Sequence, residues 1–184
     1  MHREDFELEK FHTHHEGGLV FIQIVDSGHA HINNGFGFVV GDIFYAVADE
    51  GVAEGLFQVT NQMHINLSVV SQGDCEIRVF ENPTFSAAGT AMTIFNKNRE
   101  SNKVSGATVT HTPTLTDDGT ELTPTFVAGG TGGNATGGQG ENFAGESILK
   151  AGNNYLFRII NKSGQARTIG ARLVWYEPEA VAAP

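Results

Sequence analysis

Two stretches of strict alternation stand out along the chain. Met63, Ile65, Leu67 and Val69 alternate with His64, Asn66 and Ser68, and Cys75, Ile77 and Val79 alternate with Glu76 and Arg78. A period of two is that of a half-buried strand. The residues between them, Ser71-Gln72-Gly73, end in glycine, which suits a three-residue hairpin loop. The spacing then predicts Val69 opposite Cys75, Leu67 opposite Ile77 and Ile65 opposite Val79, with both apolar sets on one face; a one-residue slip would expose half of them. The same pattern returns near the C-terminus, where Tyr155, Phe157 and Ile159 precede Lys162-Ser163-Gly164 and Ile169, Ala171, Leu173 and Trp175 follow. Two antiparallel hairpins, each with one apolar face to cover, predict sheet packed on sheet.

The remaining chain supplies shorter pieces. Leu19 to Val25 is an unbroken apolar run, as in a strand buried on both sides. Asn33-Asn34-Gly35 marks a turn into Phe36 to Tyr45, a strand interrupted at Gly41-Asp42. Ala46 to Ala53 reads equally as a helical turn or a loop. Beyond Asn82-Pro83 come closely spaced turn signals, Ala88-Gly89-Thr90 and Asp117-Asp118-Gly119-Thr120, with β-prone pieces at Ala107–Thr112 and Leu122–Val127. A strand over Glu146–Lys150 and a turn over Ala151–Asn154 lead into the second hairpin. No helical periodicity is sustained and no fixed-period repeat is apparent. The expected fold is an all-β, jelly-roll-like or Greek-key β-sandwich of eight to ten strands. Its domain would span 19–176, with an N-terminal arm over 1–18, a long Gly-rich loop over 129–140 and a C-terminal tail over 177–184.

Composition sharpens this picture. Among 184 residues, 23 glycines against 5 prolines, with 13 phenylalanines, fit short strands and flexible turns better than a helical bundle. The formal net charge of -10 repels a phosphate backbone, and basic residues gather only at Lys97, Arg99 and Lys103, so no nucleic-acid partner is expected. No apolar run approaches the roughly 20 residues of a membrane span, and Met1 to Lys10 lacks the apolar centre of a signal peptide. The expectation is a protein made in the cytoplasm, with no membrane partner. Cys75, the one cysteine, falls on an inward strand position, where a thiol acts as a small hydrophobe.

Few residues suggest chemistry. His12 and His14, and likewise His29 and His31, stand two apart; on an extended chain each pair points one way and can share a metal ion. Cupins use such a pair, but Glu16 comes too early for their pattern and the glycine framing is missing, so no metal and no cofactor is expected. The segment GGTGGNATGGQG (129–140) lacks the Lys-Ser/Thr of a phosphate-binding loop. No nucleophile motif gathers the scattered Ser, His and Asp residues, so no catalytic residue is assigned. Trp175 reads as core and Tyr176, on the opposite face, as a possible sugar platform. Asn96, Lys97, Asn98 and Arg99 follow a hydrophobic strand, and arginine and amide side chains supply directional contacts at interfaces.

From Glu81 onward the chain resembles small structural proteins encoded among the head genes of tailed bacteriophages. The residues that carry the resemblance are AGTAMTIFNKNRES (88–101), HTPTLTDDGTEL (111–122), the glycine-rich segment, and ILKAGNNYLFRIINKSG followed by LVWYE; His15-Glu16-Gly17 is also similar. The resemblance implies a non-enzymatic capsid decoration or cement protein. Such a protein occupies the outer surface of the virion, binds the major capsid protein of the expanded shell and commonly assembles as a homotrimer. His15, Glu16, Asn96, Lys97, Asn98 and Arg99 are then the expected assembly contacts. Two other readings suit the same fold: a carbohydrate-binding or head-fibre receptor-binding module, and a cupin-like metal enzyme using His12, His14, His29 or His31.

Overall fold

The computed structural model describes residues 14–16, 19–21, 27–129, 138–141 and 147–177. Its elements in chain order begin with β1 (His14–Glu16), β2 (Leu19–Phe21), α1 (Ser27–Asn33), β3 (Gly37–Val47), β4 (Val52–Gln58), β5 (Met63–Ser71) and β6 (Cys75–Glu81). Shorter pieces follow: β7 (Thr84–Ala87), β8 (Thr90–Ala91), β9 (Phe95–Asn96), β10 (Thr108–His111), β11 (Thr114–Asp117) and β12 (Thr120–Val127). The chain closes with β13 (Gly138–Glu141), β14 (Ser147–Leu149), β15 (Asn154–Asn161) and β16 (Arg167–Tyr176). The architecture is the expected all-β sandwich. One sheet, here sheet I, runs β13-β5-β16-β3-β9 with β14 also on β5; the other, sheet II, runs β12-β6-β15-β4-β10-β8. The core between them includes Phe38, Phe57, Leu67, Cys75, Ile77, Phe157 and Trp175.

The inward faces follow the alternation, but the expected hairpins do not form. β5 pairs with β16, Leu67 opposite Leu173, while β6 pairs with β15, Ile77 opposite Ile159. The links 72–74 and 162–166 are therefore arches that carry the chain from one sheet to the other, as in a jelly roll. Apolar sets assigned to one shared face instead face each other across the core. Alternation and a short glycine loop are common to both arrangements, so the pattern cannot separate them; the choice falls to pairing partners a hundred residues away.

Other expectations are corrected at element level. β3 runs through Gly41-Asp42 without a break, and Ala46 to Ala53 divides between the end of β3, a turn and the start of β4. Within the expected Leu19–Val25 strand, β2 covers Leu19–Phe21 and pairs with β1, so the last part of the supposed arm is a strand. Residues 1–13, 22–26 and 178–184 lie outside the described residues. Of the glycine-rich segment, Gly129 donates to Asp74 Oδ1 at 2.7 Å and 138–140 belong to β13. Glu177, placed in the tail, is buried.

A repeat does exist. ENPTFSAAGTAM (81–92) and HTPTLTDDGTEL (111–122) match at a spacing of 30 residues. Their registers match too: Thr90 opposite His111 and Ala91 opposite Thr110 in one place, Thr120 opposite Glu81 and Glu121 opposite Phe80 in the other. Between them β7 and β11 form a ribbon in which Phe85 faces Leu115, the self-equivalent pair on a local twofold axis. Gly89 and Gly119 hold φ of +93° and +82°, and a Cβ at either would be driven into the carbonyl of residue 111 or 81 respectively. The ribbon joins opposite edges of sheet II and so runs over the outside of β15 and β4. This explains why Leu56 and Leu156, outward-pointing and opposite each other, are fully buried. The axis also relates Leu56-Phe57 to Leu156-Phe157 and Leu67 to Leu173. Only one of the two halves has its arch: 72–74 joins β5 to β6, whereas the equivalent end of β16 meets the start of β10 through Glu177.

Candidate interaction surface

That junction anchors the most elaborated loop among the described residues. The Glu177 carboxylate accepts from Ser105 Oγ (2.6 Å), the Gly106 amide (3.1 Å) and Trp175 Nε1 (3.3 Å), so it fixes the end of loop 97–107 against the last turn of β16. The beginning of the loop is fixed by β9, which pairs Asn96 with Phe38 and Phe95 with Val39 on the edge of β3. Asn96 Nδ2 donates to the carbonyls of Gly35 (2.8 Å) and Lys103 (3.1 Å), while its Oδ1 accepts the Asn98 amide (2.9 Å). Asn98 repeats the device, donating to the Asn33 carbonyl and accepting the Glu100 amide. Two Asx turns in series thus tie the loop to the turn after α1. Lys103 Nζ caps that turn at the Asn34 carbonyl, 2.9 Å away, and lies 3.4 Å from the centroid of the Phe36 ring.

What the loop displays differs from what holds it. Val104 is 87% exposed and Phe95 50%, with the Arg99 guanidinium 5.4 Å above the Phe95 ring. Among the described residues neither Lys97 nor Arg99 forms an ion pair. Of the four expected contact residues here, the two asparagines serve the loop internally and the two cations remain available. The spacing Asn-x-Asn was the legible sign of consecutive Asx turns; Val104, in a polar stretch, gave no sign of its prominence.

The exposed surface continues from Phe95 onto the outer face of sheet I. Val39 lies beside Phe95; the next rows are Gly41, Arg172 and Ser68, then Ile43, Gly170 and Val70. Gly41 and Gly170 contribute no side chains, so the centre sinks into an open trough of about 680 Å³ rimmed by Ile43, Tyr45 and Val70. In the opposite direction, one row beyond Val39 and Val174, the Tyr176 ring is stacked between His31 (5.0 Å) and His64 (4.8 Å). Both ring faces are covered, which removes Tyr176 as a sugar platform.

Of the two histidine pairs, His29 and His31 lie on the helix α1 and not on an extended chain. His12 lies outside the described residues. His14, His15 and Glu16 form β1, opposite Phe21, Val20 and Leu19. Among the described residues no three His, Cys, Asp or Glu side chains gather as a metal site.

Outside this surface, the strongest polar constellations brace sheet II. Arg158 bridges Glu54 (2.5 Å) and both oxygens of Asp118 (2.5 and 2.7 Å), and its hydrogen bonds hold the Asp118 carboxyl below its ordinary range. Glu81 accepts from Tyr155 Oη, Lys150 Nζ and Asn153 Nδ2, and the tyrosine hydroxyl does most to lower its pKa. Cys75 is fully buried as expected, and burial pushes its thiol up to about 11.

No family model matches the chain, and no curated protein matches it.

Proposed function

We propose that this protein is a structural component of a tailed-bacteriophage head, a decoration or cement protein that binds the outside of the expanded shell and bridges major capsid protein subunits. The observation that carries this reading is the preordered loop 97–107. A loop held at both ends, and through its middle by two Asx turns, loses little entropy on docking. It carries exposed Val104, Phe95 and Arg99, with Lys97 half-buried, so that apolar groups and two cations share one loop. The sequence resemblance from Glu81 onward, which includes AGTAMTIFNKNRES, covers the first part of this loop. Modest affinity at each of many equivalent shell sites suffices, because occupancy of a lattice multiplies weak contacts.

The test is co-sedimentation with heads lacking the protein, taken before and after expansion. Saturable binding to expanded heads alone, at a fixed ratio to the major capsid protein, is expected, and the double variant Arg99→Glu with Val104→Asp should lose it at least tenfold while keeping its melting temperature. Absence of binding to either form of head would end this reading.

A further inference from the structure

Part of one sheet edge has no strand beside it. Gly37 turns its carbonyl to β9, where it accepts the Lys97 amide, and backbone groups of alternate residues in an extended strand point the same way. Gly41 and Ile43 therefore face the edge that β9 occupies. β9 pairs with Phe38 and Val39 and no further, so among the described residues no strand continues along Gly41 to Tyr45. The gap is bounded at one end by the crossing 92–94 between β8 and β9. At the other end the register shifts beside Ala46, whose φ is +50°. Ile43 and Tyr45 stand exposed on the outer side of the gap. Its inner side is the opening between the sheets, where a cavity of about 40 Å³ has apolar walls that include Phe44, Gly55 and Phe157. Sheet II extends past β4 to β10 and β8, and Val109 and Met92 line the cavity from that side.

Asp42 stands at the mouth of this opening. It comes two residues after buried Val40 and so shares the core-facing side of β3. Its Oδ1 accepts the Ile43 amide at 2.8 Å, so the carboxylate occupies a donor that an added strand would use. A strand arriving there has to move the carboxylate aside and then cover it, and a covered carboxylate requires a cation.

We infer that this edge docks an extended peptide segment of another protein, added beside β3 in line with β9, in which a lysine or arginine stands between two apolar residues. Main-chain hydrogen bonds to Gly41 and Ile43 hold the segment, and the pockets on either side of the sheet select its side chains. The basic side chain enters the opening with its stem along Met92 and Val109 and takes over the Asp42 carboxylate, which frees the Ile43 amide for the ladder. By the period of two, its apolar neighbours fall on the outer face beside Ile43 and Tyr45. A second copy of this edge does not suit, because two paired β3 edges would cover two Asp42 carboxylates with no cation between them. Docking here needs no capsid and leaves loop 97–107 free.

The probe is a capped five-residue peptide, Thr-Val-Lys-Val-Thr, titrated to about 2 mM into the isotope-labelled full chain while amide resonances are followed. Its counterpart with glutamate for lysine serves as the comparison. The lysine peptide should bind saturably, at least about tenfold tighter than the glutamate peptide, and shift the Gly41 and Ile43 amides. In Asp42→Asn, which keeps the side chain's shape, that preference should fall below about threefold. Absence of binding to about 2 mM overturns the inference. So does equal binding of the two peptides, binding that leaves the Ile43 amide unmoved, or an unchanged preference in Asp42→Asn.

Discussion

Asn161 shows how much one buried side chain can hold. Its Nδ2 donates to the carbonyls of Val47 (2.8 Å), Ala48 (3.1 Å) and Gln165 (2.6 Å), and its Oδ1 accepts the Ser163 amide (3.1 Å). It thereby ties the β3–β4 turn to the β15–β16 arch at full burial. Asn161→Ala leaves several buried groups without partners, and the expected cost is about 2–4 kcal/mol in urea denaturation, against a few tenths for an exposed asparagine such as Asn102. At the same scale, Glu81 and Asp118 make stability depend on pH. Both carboxyls are held below their ordinary values of 4.5 and 3.8, Glu81 chiefly by Tyr155 and Asp118 chiefly by Arg158. A depressed folded-state pKa contributes stability that is fully present above the ordinary value and is lost as pH falls through the folded one. Melting temperature should therefore hold between pH 6 and 7 and fall below about pH 4.5. Glu81→Gln should melt lower than wild type at pH 7, and the difference should shrink as pH falls below the ordinary value of 4.5.

At the scale of elements, the ribbon makes a paired prediction. Gly89 and Gly119 occupy equivalent left-handed positions, each against the backbone of the other repeat. Gly89→Val and Gly119→Val should each cost upward of about 2 kcal/mol, and by similar amounts, because each meets the same carbonyl contact from its own side of the axis. Alanine at the exposed Gly152, also at positive φ but with open space around it, should cost about 1 kcal/mol. What the sequence reveals at this scale divides along a clear physical line. Inward and outward positions were legible, since Met63 to Val69 and Cys75 to Val79 face the core as their alternation says. The pairing of those strands was not, because alternation records the face a residue occupies and is silent about its neighbour. The loop after β9 was legible as a contact candidate from its cations and amides, yet the division of labour within it depends on where the carbonyls of Asn33, Asn34 and Gly35 arrive from α1. The short helix itself was hidden, its seven residues offering too little periodicity to be read. The matched segments at 81–92 and 111–122 were present in the text throughout, but a single pair of copies has no period to detect.

For the molecule as a whole, one difference between the two halves related by the axis lies at the link between the sheets. One carries a covalent arch at Gln72-Gly73-Asp74; at the equivalent place in the other, Glu177 grips Ser105 and Gly106, residues more than seventy positions away in sequence. Nature has in effect already performed a scission experiment on this fold, and the unbroken half supplies the control. A protease site placed at the arch and cut should leave a complex of two fragments that elutes as one species and separates only in denaturant, since the strands on either side keep their partners β16 and β15. Fragments that part on cutting would show that the sandwich depends on that link. Fragments that stay together, and find each other when made separately, would make this chain a two-piece kit whose assembly can be placed under external control.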